Sequence, residues 1–251
     1  MNNFTYGWVP DIPDFRDNLY SVPLQQKKLP LSIDLRSQCS PVETQGELGS
    51  CTANALAGAL EFLILKNKKS LVNMSRLFIY YNERELEDSI DYDSGASLRD
   101  GIKTLTSQGC CSETLWPYNT SAFSTAPYST CYTEALKYTI TEYTRLNTTY
   151  DMRSCLSSGF PFVFGFSVYS SFESEEVAKT GVVHTPSRME SLLGGHAVMA
   201  VGYDDKFSRF IARNSWGTNW GQNGYFTIPY SYLADRNLSD DFWAIKADKG
   251  L

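Results

Sequence analysis

Apolar residues follow two different rhythms along this chain. In residues 51–66, CTANALAGALEFLILK, the positions Ala53, Leu56, Ala57, Leu60, Phe62, Leu63 and Ile64 form a broad stripe at helical spacing, which predicts a helix set inside a core. Gly49 and Ser50 mark its start, with the serine hydroxyl placed to cap it. Residues 75–87, SRLFIYYNERELE, predict a second helix, and residues 97–108, SLRDGIKTLTSQ, a third that Gly109 ends. The later part of the chain changes character. Phe162–Val168, His196–Val201, Arg209–Arg213, Tyr225–Ile228 and Phe242–Ile245 are short β-prone runs separated by Gly, Asp, Asn and Ser, and residues 152–158 and 171–178 add short helices. The pattern predicts an α+β chain in which a helical lobe sits beside an antiparallel, barrel-like β lobe. The two join near residues 116–118, with a groove between them suited to a site.

Residues 1–30 fit neither rhythm. Pro10, Pro13, Pro23 and Pro30 exclude a long helix, yet Trp8, Phe15 and Tyr20 are too apolar for a solvated tail. The expectation is an extended arm over residues 1–30 laid onto the body, then a mainly helical lobe over 31–115 and a β-rich lobe over 116–251. Such an arm serves either as a permanent strap or as a propeptide-like segment across the groove.

Composition narrows the function. The chain of 251 residues carries a formal net charge of −6, with no run of Lys and Arg interleaved with aromatics, so nucleic-acid binding is disfavoured. With 2 histidines and no C-x2-C or H-x3-H pair, no metal site is expected. No window is long and apolar enough for a membrane span, and the N-terminus lacks the basic and apolar regions of a signal peptide. The 6 cysteines are expected to be mostly reduced and semi-buried.

Three segments carry candidate chemistry. Gln45-Gly46-Glu47-Leu48-Gly49-Ser50-Cys51 runs from a glycine-rich turn into the first helix, which puts Cys51 where backbone N–H groups and the helix dipole favour a thiolate. The bland alternative is a small buried hydrophobe. Gly194-Gly195-His196-Ala197-Val198 places a histidine on a β-like run, where it could equally be a packed core residue; the other histidine, His184, reads as a loop residue. Arg213-Asn214-Ser215-Trp216-Gly217-Thr218-Asn219-Trp220-Gly221 sets two tryptophans in a glycine-rich loop, either as anchors of a turn or as an aromatic surface. Together they supply a Cys–His–Asn set, in which cysteine attacks, histidine takes its proton and asparagine orients the imidazole. The separation of Cys51 from His196, about 145 residues, lies inside the interval of about 130–150 expected of papain-like enzymes.

On these residues the chain resembles the papain family of cysteine proteases, in a divergent microbial branch. Gln45 stands where the family places its oxyanion-hole glutamine, GGHAVMAVGYD at 194–204 is similar to its histidine strand, and RNSWGTNWGQNGYF at 213–226 to its asparagine block. ETLWPY at 113–118 and LPLSIDLR at 29–36 resemble the lobe connection and the start of the catalytic domain, so the likeness covers about residues 29–246. Two departures stand out: Thr52 follows the cysteine where the family has an aromatic residue, and Leu48 replaces a cysteine, which removes one family disulfide.

The resemblance implies a papain-like two-lobe fold and hydrolysis of peptide bonds through a thioester, with Cys51, His196, Asn214 and Gln45 catalytic. It implies that Trp216 shields the histidine–asparagine bond and that Trp220 lines the cleft. Ser94, Gly95, Ala96 and Gly195 would meet an extended substrate, and Phe166 and Val168 would wall its second pocket. Trp8 and Phe15 would belong to a regulatory, zymogen-like arm. The resemblance further implies no cofactor, no metal, no nucleic-acid or membrane partner, a peptide or protein substrate, a protein inhibitor as an occupant of the cleft, a monomer, and endopeptidase action. Transglutaminase- or amidase-type acyl transfer, or peptide binding without catalysis, are the alternatives that the same residues allow.

Overall fold

The near-continuous apolar run predicted at 51–66 becomes the axis of the molecule. In the computed structural model, which describes residues 5–24, 28–67 and 70–247, helix α1 spans Cys51–Lys66 and is buried from Cys51 to Ile64. Helices α2 (Arg76–Leu86) and α3 (Leu98–Ser107) pack on it and on each other, while the opposite side of α1 meets the sheet. Being covered all round, α1 needs no polar face. Ser75 and Ser97 cap α2 and α3 by accepting bonds from the amides of Phe78 and Asp100. Ser50 does not cap α1. Its hydroxyl pairs with that of Tyr118 at 2.6 Å and takes a bond from Asn54 Nδ2, so it makes no capping bond to the first amides of α1.

The β-prone runs form one antiparallel sheet. In chain order its strands are β1 (Ser32–Asp34), β2 (Glu142–Arg145), β3 (Phe162–Tyr169), β4 (Leu192–Asp204), β5 (Arg209–Arg213), β6 (Tyr225–Pro229) and β7 (Ser239–Lys246). They lie side by side in the order β2-β7-β3-β4-β5-β6, with β1 added to the far end of β4. The sheet is open, so the barrel-like expectation is corrected. Closure would require β2 to pair with β6, and these are the two edges. Irregularities between Val168 and Tyr169, Val163 and Gly165, and Ala200 and Gly202 bend the strands without bringing those edges together. Helices α4 (Ser129–Ala135), α5 (Thr149–Ser157), α6 (Glu175–Thr180) and α7 (Tyr230–Ala234) complete the structure. The six cysteines are free, and all but Cys39 are buried.

The N-terminal arm lies on the body. The Val9 amide donates to Ala96 O at 3.0 Å, and the Tyr20 amide to Arg145 O at 2.9 Å. Two part-buried ion pairs fasten its second half: Asp17 to Arg99 at 2.6 Å and to Arg145 at 3.2 Å. Phe15 does not share in this. It is 99% exposed, so of the two aromatics expected near the cleft only Trp8 docks there.

Candidate active site

Cys51 is the first residue of α1, behind a turn in which Gly46 adopts φ +62° and the Gly49 amide is held by the Asp93 carboxylate at 3.0 Å. Its thiol faces the backbone N–H groups of Ala197, Gly7 and Thr52, so it looks across from the helix toward β4 and the arm. His196 lies within β4, opposite Phe166 of β3. Its Nε2–H donates to Asn214 Oδ1 at 2.8 Å, and the Ser215 amide donates to the same oxygen at 2.8 Å. That second donor fixes which end of the Asn214 amide is the acceptor, and hence the tautomer of the imidazole. The proton sits on Nε2, and Nδ1 keeps a lone pair that no hydrogen bond occupies.

Asn214 is brought to the histidine by two chain segments that zip together. Gln45 donates its backbone N–H to Ser215 O at 2.8 Å, Thr44 bridges Trp216, and Gly217 N donates to Glu43 O at 3.0 Å. The same zipper seats the buried Gln45 side chain. Ser215 Oγ donates to its Oε1 at 2.6 Å, and its Nε2 donates to Leu48 O at 3.0 Å and to Thr5 O of the arm at 3.1 Å. Trp216 stacks on His196 with ring centroids 5.1 Å apart and an interplanar angle of 30°. Trp220, Phe172 and Phe226 close the aromatic shell behind it.

Burial of this site is nearly complete, and the charge states follow. Cys51 and His196 are both fully covered. Loss of hydration pushes the Cys51 thiol up to about 11, against the opposing pull of three backbone N–H groups. Burial likewise takes His196 down to about 4, although its bond to Asn214 favours the imidazolium. Both shifts favour the uncharged forms of the two groups while the arm covers them.

The arm provides that cover. Ala96 N donates to Gly7 O at 2.8 Å, and Trp8 N donates to Gly195 O at 2.9 Å, so residues 7–9 run between the 95–96 segment and β4. Contact is so close that a Cβ on Gly7 would lie 1.7 Å from Gly49 O, and one on Gly95 (φ +72°) would lie 2.2 Å from Gly7 O. Tyr6 packs edge-on against His196 and Trp216, its hydroxyl bonded to Glu173. Ser94, by contrast, is exposed and bonds to Gly95 O. Phe166 and Val168 are wholly buried, Phe166 among Phe172, Phe226 and Tyr232; the β3 residue that meets the arm is Gly165, against the Trp8 ring. His184 is exposed in a loop.

One group escaped sequence reasoning. Asp241 is buried at φ +57° beside the Trp8 ring. Its Oδ2 accepts from Trp8 Nε1 at 3.0 Å and from the Asp11 amide at 2.8 Å, and its Oδ1 pairs with Arg145 at 3.0 Å. Burial and the neighbouring Asp11 hold its carboxyl up to about 7. Its only sequence signal is an acidic doublet, Asp240-Asp241, ahead of an apolar run. Among the described residues no cluster of His, Cys, Asp or Glu suits a metal ion.

Comparison with known proteins agrees with this geometry. The family model "Papain family cysteine protease" matches residues 29–238. The chain is 43% identical to an uncharacterized peptidase C1-like protein of Acanthamoeba polyphaga mimivirus, over 96% of this chain and 86% of that one. It is 31% identical to a cathepsin B-like protein of Giardia intestinalis, over 79% of this chain and 69% of that one. The crystal structure of xylellain, a cysteine protease from Xylella fastidiosa, superposes with a TM-score of 0.92 at 44% identity, covering 98% of this chain and 97% of that one.

Proposed function

The chain belongs to the papain family of cysteine proteases, and from that premise we propose that it is an endopeptidase which its own N-terminal arm holds inactive. It hydrolyses peptide bonds in peptide or protein substrates by acyl transfer. In the proposed sequence, His196 Nδ1 takes the Cys51 proton while Asn214 holds the ring by Nε2. The thiolate adds to the peptide carbonyl, and the oxyanion is received by Gln45 Nε2 and the Cys51 N–H. The proton on Nδ1 passes to the leaving amine, and water hydrolyses the thioester. Trp216, stacked on the imidazole, keeps water from the His196–Asn214 bond and strengthens it. The site is completed within one chain, so a monomer suffices. A protein inhibitor entering the cleft has to displace the arm first.

The observation that carries the autoinhibited reading is what the arm offers to the catalytic groups. The Cys51 thiol faces the Gly7 N–H, and a donor hydrogen of Gln45 Nε2 is spent on Thr5 O of the arm. A segment so placed occupies the catalytic groups and blocks the site. Iodoacetamide alkylation of Cys51 at pH 7 tests this. A shortened chain beginning at residue 29 is expected to react at least tenfold faster than the full chain, and to gain peptidase activity in parallel. Equal rates would remove the arm from regulation.

Gln45→Ala is expected to lower kcat about 10²-fold in the arm-free enzyme, since loss of one oxyanion donor costs about 3 kcal/mol. Steady-state rates on an accepted peptide measure it. An unchanged kcat would leave Gln45 with only its bonds to Ser215 and Leu48.

A further inference from the structure

The ETLWPY segment at 113–118 has no place in the acyl-transfer sequence, yet the side chains at its two ends meet behind the oxyanion donors. The Tyr118 hydroxyl donates to Gln45 O at 2.9 Å and pairs with Ser50 Oγ at 2.6 Å. A carbonyl only accepts, so the tyrosine proton points to Gln45 and the Ser50 hydroxyl donates to Tyr118. Ser50 accepts twice from Asn54 Nδ2, at its carbonyl (2.9 Å) and at its hydroxyl (3.1 Å). One phenol oxygen thus ties Gln45, whose side chain supplies one oxyanion donor, to the residue just before Cys51, whose N–H supplies the other. The tyrosine is itself held. Arg76, buried at the start of α2, lies 4.0 Å over its ring and forks onto Glu113 at 2.7 and 3.0 Å. The same guanidinium donates to Thr44 O at 3.0 Å and to Asn54 Oδ1 at 3.3 Å. The consecutive carbonyls of Thr44 and Gln45 are therefore both gripped by this network, while the Gln45 amide is bonded to Ser215 O. Packing alone gains little from such an arrangement, because a buried ion pair is often no more stabilising than apolar residues of the same volume.

We propose that Tyr118 is a positioning residue for the oxyanion hole, set in place by the Arg76–Glu113 fork, and that its hydroxyl fixes the spacing between Gln45 Nε2 and the Cys51 N–H. The inference rests on those two groups receiving the oxyanion. Donors stabilise a developing charge by standing in place beforehand, so a small loss of spacing costs rate without weakening the binding of substrate. In Tyr118→Phe the ring stays under Arg76, but Gln45 O loses its donor and the Ser50 hydroxyl its acceptor. The Gln45 turn is then free to shift against the start of α1. The partner of the thiol keeps its place, because His196 is held by Asn214 and Trp216 and not by this network.

Tyr118→Phe, placed in the full chain opened by Gly7→Ala, tests this through two reactions of the same sulfur. Peptide hydrolysis passes through an oxyanion, whereas alkylation by iodoacetamide displaces iodide and forms none. Tyr118→Phe is expected to lower kcat about tenfold, to leave KM within about twofold, and not to slow alkylation of Cys51. Combined with Gln45→Ala, the same substitution is expected to cost less than about threefold in kcat, since the donor it positions is gone. Glu113→Gln loosens the fork on Arg76 and keeps the Tyr118 hydroxyl. It is expected to show the same split between hydrolysis and alkylation, at about threefold in kcat, and it carries the test should Tyr118→Phe fold poorly. An unchanged kcat in either folded variant overturns the proposal. So does alkylation slowed in step with kcat, or a loss from Tyr118→Phe that persists in full beside Gln45→Ala. Failure of the oxyanion reading shows differently, as a Gln45→Ala chain that keeps its kcat.

Discussion

A single methyl group on Gly7 is expected to switch the full chain on. In Gly7→Ala the new carbon would lie 1.7 Å from Gly49 O and 2.5 Å from Gly49 C. The far side offers no retreat, because Gly7 O is bonded to the Ala96 amide and packs on Gly95. Backbone therefore presses on backbone from both directions, and no rotamer change relieves it. Gly49 cannot yield cheaply, since its amide is tied to Asp93 at the start of α1. The arm is the weaker partner and leaves. Overpacking costs about 1–3 kcal/mol and sometimes more, which corresponds to an increase in open enzyme between about fivefold and about 150-fold. Activity of the full-length variant on a peptide substrate, with its melting temperature as a check on folding, measures this. A Gly7→Ala chain no more active than the parent would mean that something other than the arm limits turnover.

Cys51→Ala is expected to have the opposite outcome and the largest effect: turnover lost by more than about 10⁴-fold, whether or not the arm is present. Without the sulfur no thioester forms, and the lone pair on His196 Nδ1 has no nucleophile to deprotonate. The fold is expected to survive. Alanine keeps the helix propensity of the first turn of α1, and the site is held by bonds that do not involve the sulfur: His196 to Asn214, Gln45 to Ser215, and the 43–45 segment to 215–217. A variant with normal melting behaviour and no cleavage in the Gly7→Ala background isolates the chemistry from the gate. Residual cleavage that an alkylating reagent does not stop would point to another nucleophile.

Local pattern carried the helices well. The reading of 51–66 coincides with α1, and α2 and α3 begin one residue after their expected starts, where Ser75 and Ser97 act as caps. The strands were legible as runs, but their reach was not. β4 begins four residues before His196, in Leu192-Leu193-Gly194-Gly195, and neither its exposed leucines nor its glycines look like a buried strand. β1 and β2 are too short and polar to be seen alone and exist through their partners, β4 and β7. Whether a sheet closes depends on what its edges meet, and alternation within strands says nothing about that. Motif spacing likewise brought Cys51, His196 and Asn214 into one argument, but the zipper between 43–45 and 215–217 that seats Gln45 is a tertiary fact. The same holds for the arm. Trp8 and Phe15 are similar in the sequence, flanked alike by prolines and aspartates. Only Trp8 meets glycines at 165 and 195, contributed by strands far along the chain.

Because the arm is continuous with β1, through the segment from Asp17 to Ser32, the occupant of the cleft cannot be diluted away. A tethered blocker acts at an effective concentration set by its leash, in the millimolar range for short flexible connections, however scarce the protein is. Substrate competes with it on unequal terms, and the contest shows in one kinetic constant. The apparent KM is raised by the reciprocal of the open fraction, while kcat at saturation is untouched. On the proposed autoinhibited reading, a population of such molecules is expected to stay quiet at low peptide levels and to turn over at full speed once substrate is abundant, without any cut in its own chain.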